Sequence, residues 1–138
     1  MRRWIAPFSL SLLISTQAHA YVDIDEAVDQ IGNGVMILDV RTDDQYSAGH
    51  INNALQVDMS LRPLSSSDTD ARGLAYQLGK AIQNKAQVVV LYSDTDANAN
   101  KAEAALKKAG FLAIVNGGNY MDLNSALFRL CQKDSFYC

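Results

Sequence analysis

Cysteine is scarce in this chain: there are two among 138 residues, Cys131 and Cys138, both near the C-terminus. Their spacing is C-x6-C rather than C-x-x-C, which gives little support to a redox-active pair. In an oxidising compartment the simplest reading is a structural disulfide that pins the C-terminus. A loop that short is worth on the order of 2–3 kcal/mol in the chain-entropy account. Histidine is scarce as well, and only His50 lies beyond the first twenty residues. Long apolar runs are missing: nothing beyond residue 20 approaches the roughly 20 residues that cross a bilayer, so no membrane span is expected. Positive charge is short too, with 12 Lys and Arg against 15 Asp and Glu. An acidic domain repels phosphate backbones, which sets nucleic acid aside as a partner and leaves solubility as the plain reading of the charge. There is no internal repeat, linker or low-complexity tract.

What is present begins with a leader. Arg2 and Arg3 form a charged start, Trp4 to Ser15 is mostly apolar, and Ala18-His19-Ala20 is a small-residue cleavage pattern. Together they predict a secretory signal peptide over 1–20, cut before Tyr21. No Cys follows the apolar stretch, so a lipid anchor is not supported. The expected location is periplasmic or secreted. Residues 21–138 then form one domain, long enough to bury a single core. Both leader arginines leave with it and no acid does, so the remaining net charge is −5.

Along that domain, apolar Ile24, Ala27, Val28 and Ile31 sit at helical spacing, ended by Gly32-Asn33-Gly34. Val35 to Val40 reads as a strand buried on both faces. Thr42 to Ala48 suggests a helical turn and Ile51 to Val57 a weaker strand. A Ser- and Asp-rich loop covers 61–70 and a helix is predicted over 71–83. Val88 to Tyr92 is the strongest strand. A helix over 100–109 is stopped by Gly110. Phe111 to Val115 is the last strand, Gly117-Gly118 a turn, and Tyr120 to Leu130 a final helix. Alternating short apolar strands and helices predict an α/β fold with a parallel sheet. Ligands of such sheets bind beyond the carboxyl ends of the strands. That places Asp39 to Arg41 and Ser93 to Asn98 on the functional rim.

The stretch LDVRTDDQYSAGHINNA, Leu38 to Ala54, resembles the signature of the rhodanese family. The matching residues are Asp39-Val40-Arg41, Asp44, Tyr46, Gly49-His50-Ile51 and Ala54. VVVLYS is similar to the strand that leads into that family's catalytic loop, and KKAGFLAIVNGGNY to its Gly-Gly and aromatic ending. The resemblance implies a central parallel sheet of about five strands with helices on both faces. It also implies a sulfur-transfer site. In that family a Cys opens the loop, carries sulfane sulfur from a donor such as thiosulfate to an acceptor such as cyanide, and an Arg commonly ends the loop. Here Ser93 stands at the Cys position, Asp94-Thr95-Asp96-Ala97 follow, and Asn98 stands at the Arg position.

A serine cannot form the persulfide that a thiolate forms. Asp94 and Asp96 bring negative charge to a site built for anions. One like-charge contact at about 4 Å costs roughly 4 kcal/mol at an effective dielectric near 20, more than a helix N-terminus returns. The rim of Asp39, Arg41, Ser93, Asp94, Thr95, Asp96, Ala97 and Asn98, with Gly117-Gly118, is therefore expected to bind a protein or small-molecule partner without catalysis. No catalytic residue and no cofactor are expected. For the loop itself, Asp96 or Asn98 is expected to cap the following helix. Asp94, Asp96 and Asn98 alternate oxygens as a calcium loop does. However, Ala99 and Ala105 stand where such a loop needs Gly and Glu, so no metal site is expected. Arg41 is expected to bind Asp39 or a loop carbonyl, or, with no substrate, Asp94 or Asp96. The alternative activity is sulfur transfer carried by Cys131 or Cys138. A further one is hydrolysis by Ser93 with His50 and Asp39.

Overall fold

The computed structural model of the chain describes residues 21–59, 82 and 84–138. The leader, the loop over 61–70 and nearly all of the helix predicted over 71–83 lie outside the described residues. The first helix, α1 (Ile24–Gly32), starts where the Asp23 side chain accepts the Glu26 N–H. It ends at Asn33, with Gly34 following at φ +78°. Strand β1 (Met36–Asp39) leads to helix α2 (Asp43–Ala48), which Thr42 and Gln45 open with a capping box. Strand β2 is Leu55–Gln56 and strand β3 is Val88–Ser93. Helix α3 (Asp96–Lys108), strand β4 (Ala113–Asn119), helix α4 (Tyr120–Cys131) and a 3₁₀ turn (Ser135–Tyr137) complete the chain.

The four described strands are parallel, in the order β2-β1-β3-β4. Among the described residues the sheet therefore has four strands, against the about five expected. A single parallel bridge from Val22 to Asn116 extends its β4 edge. Side chains alternate between two cores, as the period of a strand requires. Leu38, Val89 and Leu91 pack with Ala99, Ala102 and Leu106 of α3 on one face. Ile37, Val90 and Tyr92 pack with Ala27 and Val28 of α1 and Leu123 and Leu127 of α4 on the other. Both faces are covered, which is why β1 and β3 are written almost wholly in apolar residues.

Several boundaries differ from those expected. The strand expected from Ile51 is paired only at Leu55–Gln56, because Ala54 N–H returns to the Ile51 carbonyl in a turn with Asn53 at φ +65°. The last strand starts two residues late: Phe111 N–H bonds Leu106 O and Leu112 N–H bonds Lys85 O, so these residues close the end of α3 instead. It also runs on through Gly117-Gly118, which are strand rather than turn. The register with β3 shifts between Leu91 and Ser93, and Ser93 pairs with Asn119.

Candidate functional site

The carboxyl ends of β1 and β3 carry two different arrangements. At β1, Asp39 is fully buried and Arg41 is 7% exposed. Arg41 Nε and Nη2 donate to Asp39 Oδ1 and Oδ2 at 3.0 and 2.7 Å, and Nη2 also donates to Gly49 O at 2.7 Å. The guanidinium lies over the Tyr120 ring, 4.1 Å from its centroid. Tyr92 Oη donates to Asp39 Oδ2 at 2.7 Å and accepts the Ile51 N–H at 3.1 Å. Burial, then the bond to Asp39, hold the Tyr92 phenol far above its ordinary titration range. Burial works against the Arg41 charge, but the hydrogen bonds and charge of Asp39 outweigh it. Tyr46 Oη closes the motif by donating to Ala54 O at 2.8 Å. The Asp-Val-Arg and Gly-His-Ile segments are therefore tied into one knot, with Asp39, Arg41 and Ile51 buried and His50 exposed. Of the partners expected for Arg41, Asp39 and a loop carbonyl are observed, whereas Asp94 and Asp96 are not. Arg41 lines the same cavity as Ser93 and Asp94, but its guanidinium is already committed to Asp39, Gly49 O and the Tyr120 ring.

At β3 the expected loop is mostly helix. α3 begins at Asp96, not near residue 100, and its N-cap is Thr95, whose side chain accepts the Asn98 N–H at 3.1 Å. Neither Asp96 nor Asn98 is the cap, because Asp96, Ala97 and Asn98 are the first helical turn. Asp94 Oδ1 accepts from Ser93 Oγ at 3.0 Å, from the Thr95 N–H at 3.0 Å and from Asn98 Nδ2 at 2.8 Å. The Asn98 bond first, then the bonds from Ser93 and the backbone, hold the Asp94 carboxyl below its ordinary value of 3.8. Asp96 faces elsewhere: its Oδ1 accepts the Asn119 N–H and Nδ2, each at 2.9 Å. The two carboxylates diverge, and no metal-holding cluster of acidic, His or Cys side chains forms among the described residues.

The catalytic alternatives fare differently. Asp39 is taken by Arg41 and Tyr92. His50 is exposed, stacked on Tyr46 at 3.8 Å with Nδ1 against Tyr46 O. The Ser93 hydroxyl donates to Asp94 rather than to a histidine. The Ser93–His50–Asp39 arrangement is therefore not formed. Cys131 and Cys138 are joined in a disulfide with a Cα–Cα distance of 4.9 Å. They line a cavity of about 490 Å³ with Gly34, Val35 and Leu127, at the amino end of β1.

A larger cavity of about 660 Å³ opens at the carboxyl ends of the strands, between the start of α2 and one face of α3. Val40, Met59, Ala102 and Ala105 give it apolar walls, and Ser93, Asp94 and Asn98 sit at its head. Lys101 and Lys108, which sequence reasoning passed over, also line it. Their spacing from Asn98, three and ten residues, is that of one helix face and could have revealed them. The groove, lined by Arg41, Lys101 and Lys108 against Asp94, is thus more basic than the loop's aspartates suggested.

The family model of the rhodanese-like domain matches residues 23–120. No curated protein matches the chain. A crystal structure of a rhodanese-like domain from Anabaena sp. is 22% identical with a TM-score of 0.51, covering 67% of this chain and 92% of that one. A solution structure of the rhodanese-like domain from the same Anabaena protein is 20% identical with a TM-score of 0.58, covering 78% and 74%. Another crystal structure of that protein is 23% identical with a TM-score of 0.52, covering 70% and 79%. At such identities the likeness concerns the fold alone. No described helix is long and apolar enough to cross a membrane.

Proposed function

The chain belongs to the rhodanese-like domain family, and from that premise we propose that it is a binding module without sulfurtransferase activity, working in the periplasm or outside the cell after removal of residues 1–20. One observation carries this reading: Asp94 Oδ1 collects the donors of Ser93, Thr95 and Asn98. A thiosulfate arriving there would meet a carboxylate already holding the hydrogen bonds it needs. Ser93 supplies a hydroxyl where sulfane-sulfur chemistry needs a thiolate. The groove beside it persists, with Lys101 and Lys108 along an apolar floor. It suits a protein segment or small molecule that pairs an acidic group with an apolar body.

The test is thiocyanate production from thiosulfate and cyanide. The expected result is no turnover by the wild type, and measurable turnover once Ser93→Cys, Asp94→Gly and Asn98→Arg are combined. Wild-type turnover that survives Ser93→Ala and disappears with Cys131→Ser would overturn the reading in favour of a sulfurtransferase using the C-terminal cysteines.

A further inference from the structure

Glu103 belongs to none of the chemistry above, yet it is 3% exposed. A buried carboxylate is costly unless it is paired and hydrogen-bonded. Its partners are Lys107 Nζ on Oε1 at 2.8 Å, and Asn116 Nδ2 and the backbone nitrogen of Tyr21 on Oε2 at 3.0 and 3.2 Å. Asn116 is itself fixed, with Nδ2 also donating to Asn100 Oδ1 at 2.9 Å and Oδ1 accepting the Gly118 N–H at 2.9 Å. The contact from Tyr21 spans 82 positions. It comes from the residue that the Ala18-His19-Ala20 pattern would leave first.

We propose that removal of the leader creates an ion pair: the new α-ammonium of Tyr21 docks on the Glu103 carboxylate and fastens the first residues to the edge of the sheet. Hydrolysis by a leader peptidase breaks the Ala20–Tyr21 C–N bond. Water supplies hydroxyl to the Ala20 carbonyl carbon and hydrogen to the Tyr21 nitrogen, which then takes up one proton at neutral pH. A neutral amide donor at 3.2 Å becomes a charged one, and charge-assisted bonds to carboxylates are shorter and about twice as strong. The charge arrives where the neighbouring backbone is already held. Val22 bridges Asn116, and the Asp23 N–H donates to Asn116 O at 2.8 Å. Gly118 leaves the room: a Cβ there would lie 2.7 Å from Val22 Cγ1. Part of the domain's stability is in this way withheld from the precursor and delivered on processing.

The experiment compares three forms of the protein by thermal unfolding at neutral pH: the full precursor, the processed protein, and the processed protein acetylated at its α-amine. Each is made with Glu103 and with Glu103→Gln. Intact mass must first show that the processed chain starts at Tyr21; any other start overturns the proposal. With Glu103 present, the free amine should unfold about 3–6 °C above the acetylated form, with the precursor close to the latter. With Glu103→Gln the gap should shrink to about 1 °C or less. Equal midpoints for the free and acetylated forms would overturn the ion pair, and that comparison stands even if Glu103→Gln does not fold. So would a gap that Glu103→Gln leaves unchanged. These outcomes are independent of thiocyanate production, so the ion pair and the binding-module reading fail separately.

Discussion

The two strand ends that face the groove, β1 and β3, are neighbours in the sheet but opposites in construction. The β1 end turns its charges inward. Asp39 and Arg41 neutralise each other out of water, and Tyr92, Gly49 and Tyr120 occupy what remains. The β3 end turns most of its polar groups outward: the bonds among Ser93, Asp94, Thr95 and Asn98 span at most four residues, while Asp96 reaches across to Asn119. The first arrangement ties together segments distant in sequence and cannot be edited one residue at a time. The second is mostly local, and its exposed side chains at Asp94 and Asn98 can change without disturbing the fold.

If that contrast is right, the largest stability effect belongs to the β1 end. Arg41→Ala leaves the Asp39 charge buried without its counter-charge and should destabilise by about 3–5 kcal/mol. A shift in the urea midpoint measures it, and a loss below about 1 kcal/mol would erase the contrast. At the β3 end the firmest contact is the cap. Thr95→Ala should cost about 1 kcal/mol and fray the first turn of α3, read as faster amide exchange at Asn98. The smallest effect concerns pH. Asp94 has a depressed folded-state pKa, so the stability it adds is fully present above the ordinary value of 3.8 and is lost as pH falls through the lower folded value. Because the group is mostly exposed, the contribution is about a few tenths of a kcal/mol. Asp94→Asn should therefore flatten the acid limb of the stability curve only slightly; a large flattening would make β3 as structural as β1.

The sheet and its family were legible because strands buried on both faces must be apolar, and because the Asp-Val-Arg and Gly-His-Ile residues need one another in space. Other features were hidden. Thr95 competes with Asp96 and Asn98 as a cap on composition alone, and only the helix's true start decides among them. Gly117-Gly118 reads as a turn because the pairs that continue β4 on either side of it, Leu91 with Asn116 and Ser93 with Asn119, come from β3, far away in sequence. The Glu103–Asn116 pairing joins a helix face to a strand and leaves no short-range pattern.

Asp96 settles which positions of the rim can be rewritten. Its Oδ1 holds the backbone and side chain of Asn119, and a Cβ on Gly118 would come within 2.9 Å of that same oxygen. A library built on this domain should therefore keep positions 95, 96 and 118 fixed and vary 94, 97, 98, 101 and 108. The fixed positions act as a chassis, and new recognition can be selected on the rest without renegotiating the fold.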